Sequence, residues 1–168
     1  GALEDLALRL GLILNSQAPE LQEPQILVYA ADHGLAAHGV SAYPSDVTWQ
    51  MVQNFLAGGA AINVLARQHD LALQVVDCGV RRDLAPHFGL LDCKIAHGSG
   101  DSLTGSAMST AQCQQALENG ANLVHELPGN AMILGEMGIG NTSAASLLMA
   151  RLCGLPITDC TGAGTGLD

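Results

Sequence analysis

ILVYAA, at Ile26–Ala31, is an uninterrupted apolar run, and the predicted fold starts from it. Six consecutive residues of this kind are typical of a strand that is buried on both faces, as parallel strands covered by helices are. The run ends at Asp32-His33-Gly34, where two polar residues and a glycine indicate a turn. The sequence therefore predicts a buried parallel strand within an α/β domain.

Further short apolar runs follow along the chain, and helical patterns alternate with them. The predicted strands are Leu71–Val76, a short one at Cys93–Ala96, and Ala131–Leu134. Apolar residues at helical spacing predict helices at Ala2–Asn15, Val47–Ala57, Ala60–His69, Ser109–Asn119 (closed by Gly120) and Ser143–Leu152 (closed by Gly154). Strands alternating with helices predict one α/β domain over residues 1–168, with three layers (α/β/α) around a mostly parallel, Rossmann-like sheet.

Composition and charge restrict the partners that this chain could bind. Hydrophobic residues make up 48% of the 168 positions and charged residues only 13%, which excludes a disordered chain. The net charge of -10 disfavours nucleic acid and anionic membranes as partners. An anionic small molecule remains compatible with that charge if backbone N–H groups and helix N-termini bind it.

The cysteines and the hydropathy pattern predict a cytoplasmic location. The five cysteines are odd in number and none forms a CxxC pair, which indicates thiols in a reducing compartment. No uncharged apolar run reaches the roughly 18 residues that a membrane span needs.

Three predicted strands end in polar or glycine-rich turns, namely Asp32-His33-Gly34, Asp77-Cys78-Gly79 and Gly135–Thr142. Because the carboxyl ends of parallel strands share one edge of a sheet, where ligands bind in open α/β folds, we expect these turns to form the site. Asp32 and His33 could be a metal pair, an acid–base pair or a structural corner. No third ligand stands at a suitable spacing, so no metal is predicted.

The turn Gly135–Thr142 reads GEMGIGNT and is the most informative of the three. Its glycines allow backbone N–H groups to approach a ligand, and Asn141 and Thr142 open a helix whose positive end would favour a phosphate. The pattern is neither a Walker A loop nor GxGxxG. The alternative is an ordinary strand-to-helix turn with an Asn or Thr cap. Glu136 favours a ligand, since a carboxylate there would suit a ribose hydroxyl, a cationic ring or a proton.

One predicted helix offers a second surface for a ligand. Trp49, Met51 and Phe55 lie at helical spacing, which indicates core packing or an apolar slot for a flat aromatic molecule.

Several of these segments together resemble one family, nicotinate-nucleotide–dimethylbenzimidazole phosphoribosyltransferase, which builds the lower-ligand nucleotide of cobalamin. The resemblance covers nearly the whole chain, in order. It rests on ADHG at 31–34, GVSAYPSDVTWQMVQNFLAGGAAINVLA at 39–66, VVDCGV at 75–80, GSAMS at 105–109, GEMGIGNTSAA at 135–145 and TGAGTGLD at 161–168.

The resemblance implies a substitution at the anomeric carbon of ribose. Nicotinate would leave nicotinate mononucleotide, and a nitrogen of 5,6-dimethylbenzimidazole would attack, giving α-ribazole 5′-phosphate with inverted configuration. This chemistry implies no metal and no cofactor. It requires an anchored phosphate, a slot for the flat base and a carboxylate that accepts the benzimidazole proton.

Carried over by motif, the resemblance places the phosphoribosyl group at Glu136–Thr142 and the benzimidazole against Ala42–Gln53. Gly138 and Asn141 are the leading phosphoribosyl contacts. Some members have a serine and a glutamine where this chain has Tyr43 and Met51. The predicted substrate-binding residues are Asp32, His33, Tyr43, Met51, Glu136, Met137, Gly138, Asn141, Thr142 and Gly164.

The chain also departs from the family pattern. Family enzymes carry a helical segment before this chain and continue beyond TGAGTGLD, and their catalytic glutamate lies in that later half. Many also have an arginine where this chain has Ala163. We therefore expect a fragment that has little or no activity alone, belongs to a homodimeric enzyme, and lacks the general base. The alternatives are a non-catalytic nucleotide- or base-binding module, and a structural fragment that self-associates.

Overall fold

The computed structural model describes residues 1–164, so the last four residues of TGAGTGLD lie outside the described part. Its helices are α1 (Ala2–Ile13), α2 (Asp46–Leu56), α3 (Ala61–Gln68), α4 (Thr110–Glu126), α5 (Asn141–Cys153) and α6 (Ile157–Cys160), with a 3₁₀ turn at Gly34–His38. Its strands are β1 (Gln25–Ala31), β2 (Ala72–Gly79), β3 (Leu90–Asp92) and β4 (Met132–Met137).

The four strands form one sheet in the order β3-β2-β1-β4, and every neighbouring pair is parallel. The predicted strand at Ile26–Ala31 is confirmed as β1, which lies between β2 and β4. The strand order reverses between β1 and β4, as it does in the Rossmann order 3-2-1-4-5-6. The crevice at the carboxyl ends of these two strands is thus the expected ligand position.

Side chains alternate across β1 and pack into a separate core on each face of the sheet. On one face Ile26, Val28 and Ala30 pack with residues of α2 and α3. On the other face Leu27 packs with Val76 and with Leu123 of α4. The predicted three-layer α/β/α arrangement is confirmed by these two cores.

Several predicted element boundaries are wrong. β2 and β4 extend past Val76 and Leu134, because their pairing with β1 continues through Asp77 and Met137. The short third strand is Leu90–Asp92 and not Cys93–Ala96, since Leu90 and Leu91 pair with β2.

The fourth helix also differs from its predicted length. α4 continues through Gly120 to Glu126, because the second core buries Leu123 to 8% exposure and so stabilises the added turns. Gly154 ends α5 with a positive φ of 65°, as predicted.

Several parts of the described chain leave apolar surface exposed, among them β4 and α1. β4 is an edge strand, on which Ile133 and Leu134 are 48% and 68% exposed. The helix α1 has no buried residue, although Leu3, Leu6 and Leu12 all lie on it. Within residues 1–164, no helix combines the length and the apolar character that crossing a membrane would need.

Candidate active site

The β1 strand ends at the switch in strand order with a carboxylate that serves the fold. Asp32 is 2% exposed, and its Oδ2 accepts a hydrogen bond of 2.7 Å from the Arg81 backbone N–H. Its own N–H donates to the Gly79 carbonyl, and its carbonyl accepts from Ser99. Asp32 therefore joins the ends of β1 and β2 to the loop near residue 99, which supports the structural corner among the interpretations of this pair.

The β2 strand ends with a second buried carboxylate, Asp77. Its Oδ1 accepts from the N–H groups of Gly79 and Val80 at 3.0 and 2.8 Å. Its Oδ2 lies 3.3 Å from the Nζ of Lys94, which also donates to the Val80 carbonyl at 2.8 Å. Both oxygens of Asp77 are thus occupied inside the protein.

The glycine-rich segment at the end of β4 divides into a strand and a tight turn. Gly135 and Glu136 belong to β4, so the turn begins only at Gly138. A Cβ at Gly138 would lie 2.3 Å from the Ala31 carbonyl oxygen, so only glycine allows this approach of β4 to β1. Gly140 has a φ of 95° and is the N-cap of α5 without a side-chain hydrogen bond, so the structure does not support the alternative of an ordinary Asn or Thr cap.

A buried hydroxyl from a distant part of the sequence holds this turn in place. The backbone N–H of Ile139 donates at 3.0 Å to the Oγ1 of Thr48, a fully buried residue on α2. The Asn141 N–H donates at 3.0 Å to the Gly138 carbonyl. Thr48 was not among the predicted site residues, since nothing in its local sequence reveals a partner 91 positions away.

The structure brings three predicted residues together where the strand order reverses between β1 and β4. Asn141 makes two side-chain hydrogen bonds, one between its Oδ1 and the Nε2 of His33 and one from its Nδ2 to the Oε2 of Glu136. His33 and Asn141 are half-buried, whereas Glu136 is exposed. Glu136 thus presents its carboxylate at the surface in front of the crevice.

A cavity of about 320 Å³ lies at the N-terminus of α5. Predicted residues Gly138, Thr142 and Gly164 line it, together with Ser143 and Gly140. The first turn of a helix leaves N–H groups without helical partners, and here they belong to Thr142 and Ser143. Such a pocket suits an anion even in an acidic protein.

The remaining predicted residues lie on two other surfaces. Tyr43 is 56% exposed in the loop before α2. Met51 on α2 and Met137 on β4 are half-buried and pack against the first core. The interpretation of Met51 as a core residue is therefore supported, while its contact with a base stays a prediction.

A second cavity, of about 220 Å³, lies between α4 and the carboxyl ends of β1 and β2. Tyr29, His33, Cys78 and Cys93 are among its lining residues. Burial raises the pKa of the Cys78 thiol to about 12, and the neighbouring Cys93 and Asp77 contribute to the rise. This thiol therefore stays protonated at neutral pH.

No group of three His, Cys, Asp or Glu residues within residues 1–164 has the arrangement of a metal site. Asp32 and His33 in particular bind different parts of the protein.

Comparison with known proteins shows the family of this chain. A family model described as Phosphoribosyltransferase matches residues 1–168. The chain is 66% identical over 168 residues to nicotinate-nucleotide–dimethylbenzimidazole phosphoribosyltransferase of Variovorax paradoxus, covering 100% of the chain and 48% of that protein. It is 55% identical to the protein of the same name from Dechloromonas aromatica, covering 100% of the chain and 49% of the relative.

A solved structure has the same fold. The crystal structure of CobT from Thermus thermophilus aligns with a TM-score of 0.91 at 45% sequence identity, over 100% of this chain and 51% of that one. The chain thus spans about half the length of the curated relatives it matches. By its family match, this chain belongs to the nicotinate-nucleotide–dimethylbenzimidazole phosphoribosyltransferase family.

Proposed function

We propose that the protein transfers phosphoribose from nicotinate mononucleotide to 5,6-dimethylbenzimidazole, giving α-ribazole 5′-phosphate and nicotinate in the synthesis of the cobalamin lower ligand. In this proposal residues 1–168 form a single domain that supplies the phosphoribosyl-binding part of the site, and the general base comes from a segment outside them. The carrying observation is the cavity at the N-terminus of α5, which lies at the switch in strand order, together with the hydrogen bond between Glu136 and Asn141, the first residue of that helix.

The phosphate would bind in front of α5. The N–H groups of Thr142 and Ser143 point out of the first helical turn, and Gly164 brings a second backbone segment within reach of Thr142. The positive end of the helix dipole favours an anion by about 0.3–1 kcal/mol at an exposed site. Backbone donors can therefore bind phosphate despite the net charge of -10.

The ribose and the base would occupy neighbouring positions. Glu136 would accept hydrogen bonds from ribose hydroxyls, and Tyr43, Met51 and Met137 would contact the flat benzimidazole. In the reaction the bond from C1′ to the nicotinate nitrogen breaks while the bond to the benzimidazole nitrogen forms on the opposite face. The benzimidazole N–H proton passes to the general base. Binding both rings in line lowers the barrier by proximity, and no cofactor takes part.

A cytoplasmic location and a homodimeric assembly belong to the same proposal. All five cysteines are free thiols, which fits a reducing compartment. The exposed apolar side chains of α1, β4 and α5 supply surface that self-association could bury.

The test compares the full-length gene product with the 168-residue chain. Each is incubated with nicotinate mononucleotide and dimethylbenzimidazole, and α-ribazole phosphate is measured by liquid chromatography. We expect product from the full-length protein and little or none from the chain. Turnover by the chain equal to that of the full-length protein would contradict the proposal that the base lies elsewhere. Binding of nicotinate mononucleotide by the full-length protein without product would instead favour a non-catalytic binding module.

A further inference from the structure

The hydrogen bonds of Asn141 connect β1 to β4 across the point where the strand order reverses. His33 follows β1, Glu136 lies on β4, and the Asn141 side chain bonds to both. We call these three residues the His33–Asn141–Glu136 relay.

The donor and acceptor atoms of these side chains determine the direction of both hydrogen bonds. An ionised carboxylate only accepts, so the amide NH₂ of Asn141 donates to Glu136 and its Oδ1 is left to face His33. An amide oxygen also only accepts, so the Nε2 of His33 must carry a proton. The neutral ring is therefore the Nε2–H tautomer, and the charged ring donates from the same atom.

The backbone on both sides of His33 is hydrogen-bonded, so the imidazole ring is attached to a well-anchored segment. The Asp32 N–H donates to Gly79 at 3.0 Å, and the Gly34 N–H donates to Ser99 at 3.1 Å. The His33 carbonyl accepts from Ala36 at 3.1 Å. By contrast, Glu136 is exposed on an edge strand, and Asn141 is its side-chain partner among residues 1–164.

We propose that His33 is a positioning residue for the phosphoribosyl transfer, which rests on the proposed function above. It holds the Asn141 amide in one orientation, and that amide holds one oxygen of Glu136, leaving the other oxygen for a ribose hydroxyl. Without His33 the amide can rotate by half a turn and place its oxygen against the carboxylate, where the two acceptors repel. The Asn141 backbone would stay in place, because its N–H bonds to Gly138.

The kinetic test uses the full-length protein with His33→Ala, His33→Gln and a control, His125→Ala, at an exposed position of α4. Glutamine can donate one hydrogen bond from its amide much as the Nε2–H does. We expect His33→Ala to lower kcat/KM for nicotinate mononucleotide by about 10- to 100-fold, the usual size for a lost bond in a charged network. His33→Gln should recover most of that loss. The KM for dimethylbenzimidazole should change little, and His125→Ala should match the wild type.

Two kinetic results would refute the positioning role of His33: wild-type kinetics for His33→Ala, or a His33→Gln variant as impaired as His33→Ala.

A spectroscopic measurement tests the His33–Asn141–Glu136 relay without an activity assay. In protein labelled with ¹⁵N-histidine, the ring resonances of His33 should show the Nε2–H tautomer at neutral pH, and Asn141→Ala should shift the Nε2 resonance because that N–H loses its acceptor. A His33 ring protonated on Nδ1 alone would show that Nε2 does not donate to Asn141, and would refute the proposed hydrogen bond. If the wild type forms no α-ribazole phosphate, the proposed function fails, and this spectrum still decides the relay.

Discussion

Asp77 on β2 and Glu136 on β4 lie at almost the same level of the sheet, on either side of β1. Asp77 pairs with Ala30 and Glu136 with the preceding residue, Tyr29. Asp77 is 2% exposed and uses both oxygens on Gly79, Val80 and Lys94. Glu136 is exposed and has one described side-chain partner, Asn141.

The difference shows that a carboxylate at this edge can either be used inside the fold or stay exposed. The end of β2 is followed by a loop that folds back and supplies donors to Asp77, including a lysine whose side chain is only 16% exposed. The end of β4 leads into a glycine turn and a helix N-terminus, and Glu136 stays exposed with Asn141 as its described side-chain partner. The two carboxylates thus differ in their partners and in the face of the sheet, since Ala30 and Tyr29 belong to different cores.

The largest expected effect is the loss of stability on removing Asp77. Asp77→Ala leaves the Gly79 and Val80 N–H groups and the Lys94 ammonium without their acceptor. We expect the free energy of unfolding to fall by about 3 kcal/mol, the lower end for breaking a buried ion pair. Glu136→Ala should change it by less than about 0.5 kcal/mol, as exposed substitutions usually do. Urea denaturation followed by circular dichroism measures both, and similar losses in the two variants would contradict the comparison.

The second prediction concerns activity. Glu136→Gln should lower kcat/KM of the full-length protein for nicotinate mononucleotide by about 10- to 100-fold. In the proposed function Glu136 accepts hydrogen bonds from ribose hydroxyls, and an amide can replace the carboxylate only in part. Its stability should stay at the wild-type value. Glu118→Gln, an exposed change on α4, is the matched control for the loss of one negative charge. A Glu136→Gln variant with wild-type kinetics would refute the assigned role of this residue.

The sequence predicted the secondary structure well where the signal was local and apolar. Ile26–Ala31 was identified as a buried parallel strand because its residues bury both faces of β1. The predicted end of α4 is wrong. A glycine disfavours a helix, but here the burial of Leu123 compensates for Gly120. The predicted position of β3 is wrong because pairing with β2, and not apolar character alone, determines which residues form the edge strand of the sheet.

The sequence predicted which turns lie together at one edge of the sheet, but not the hydrogen bonds between them. Glycine and polar turns after the strands indicated where His33 and Asn141 would meet, since parallel strands end together. The partners of Asp77 and the hydroxyl of Thr48 were missed, because those contacts join segments that are far apart in the sequence. Contacts of that kind depend on the packed tertiary structure, which local patterns do not encode.

The third prediction tests whether the turn after β4 depends on α2. Thr48→Val keeps the side-chain volume but removes the acceptor for the Ile139 N–H, so the unfolding free energy should fall by about 2 kcal/mol. Thr48→Ser keeps the hydroxyl and should lose about 1 kcal/mol through the missing methyl group. Amide hydrogen exchange separates the two effects, since the Ile139 amide should exchange faster in Thr48→Val alone. Equal protection in both variants would exclude this bond as the anchor of the turn.

The smallest expected effect is chemical and concerns Cys78, next to Asp77 at the end of β2. Its pKa is raised to about 12 by burial, so at pH 8 the folded protein holds it as an unreactive thiol. Iodoacetamide should therefore modify the exposed Cys113 and Cys153 first, and Cys78 only after urea is added. Because the folded pKa is the higher one, the stability from the protonated thiol is complete below its ordinary pKa of 9.0 and is lost as the pH rises towards about 12. Peptide mass spectrometry measures the order of alkylation, and rapid labelling of Cys78 at pH 8 without urea would contradict the prediction of an unreactive thiol.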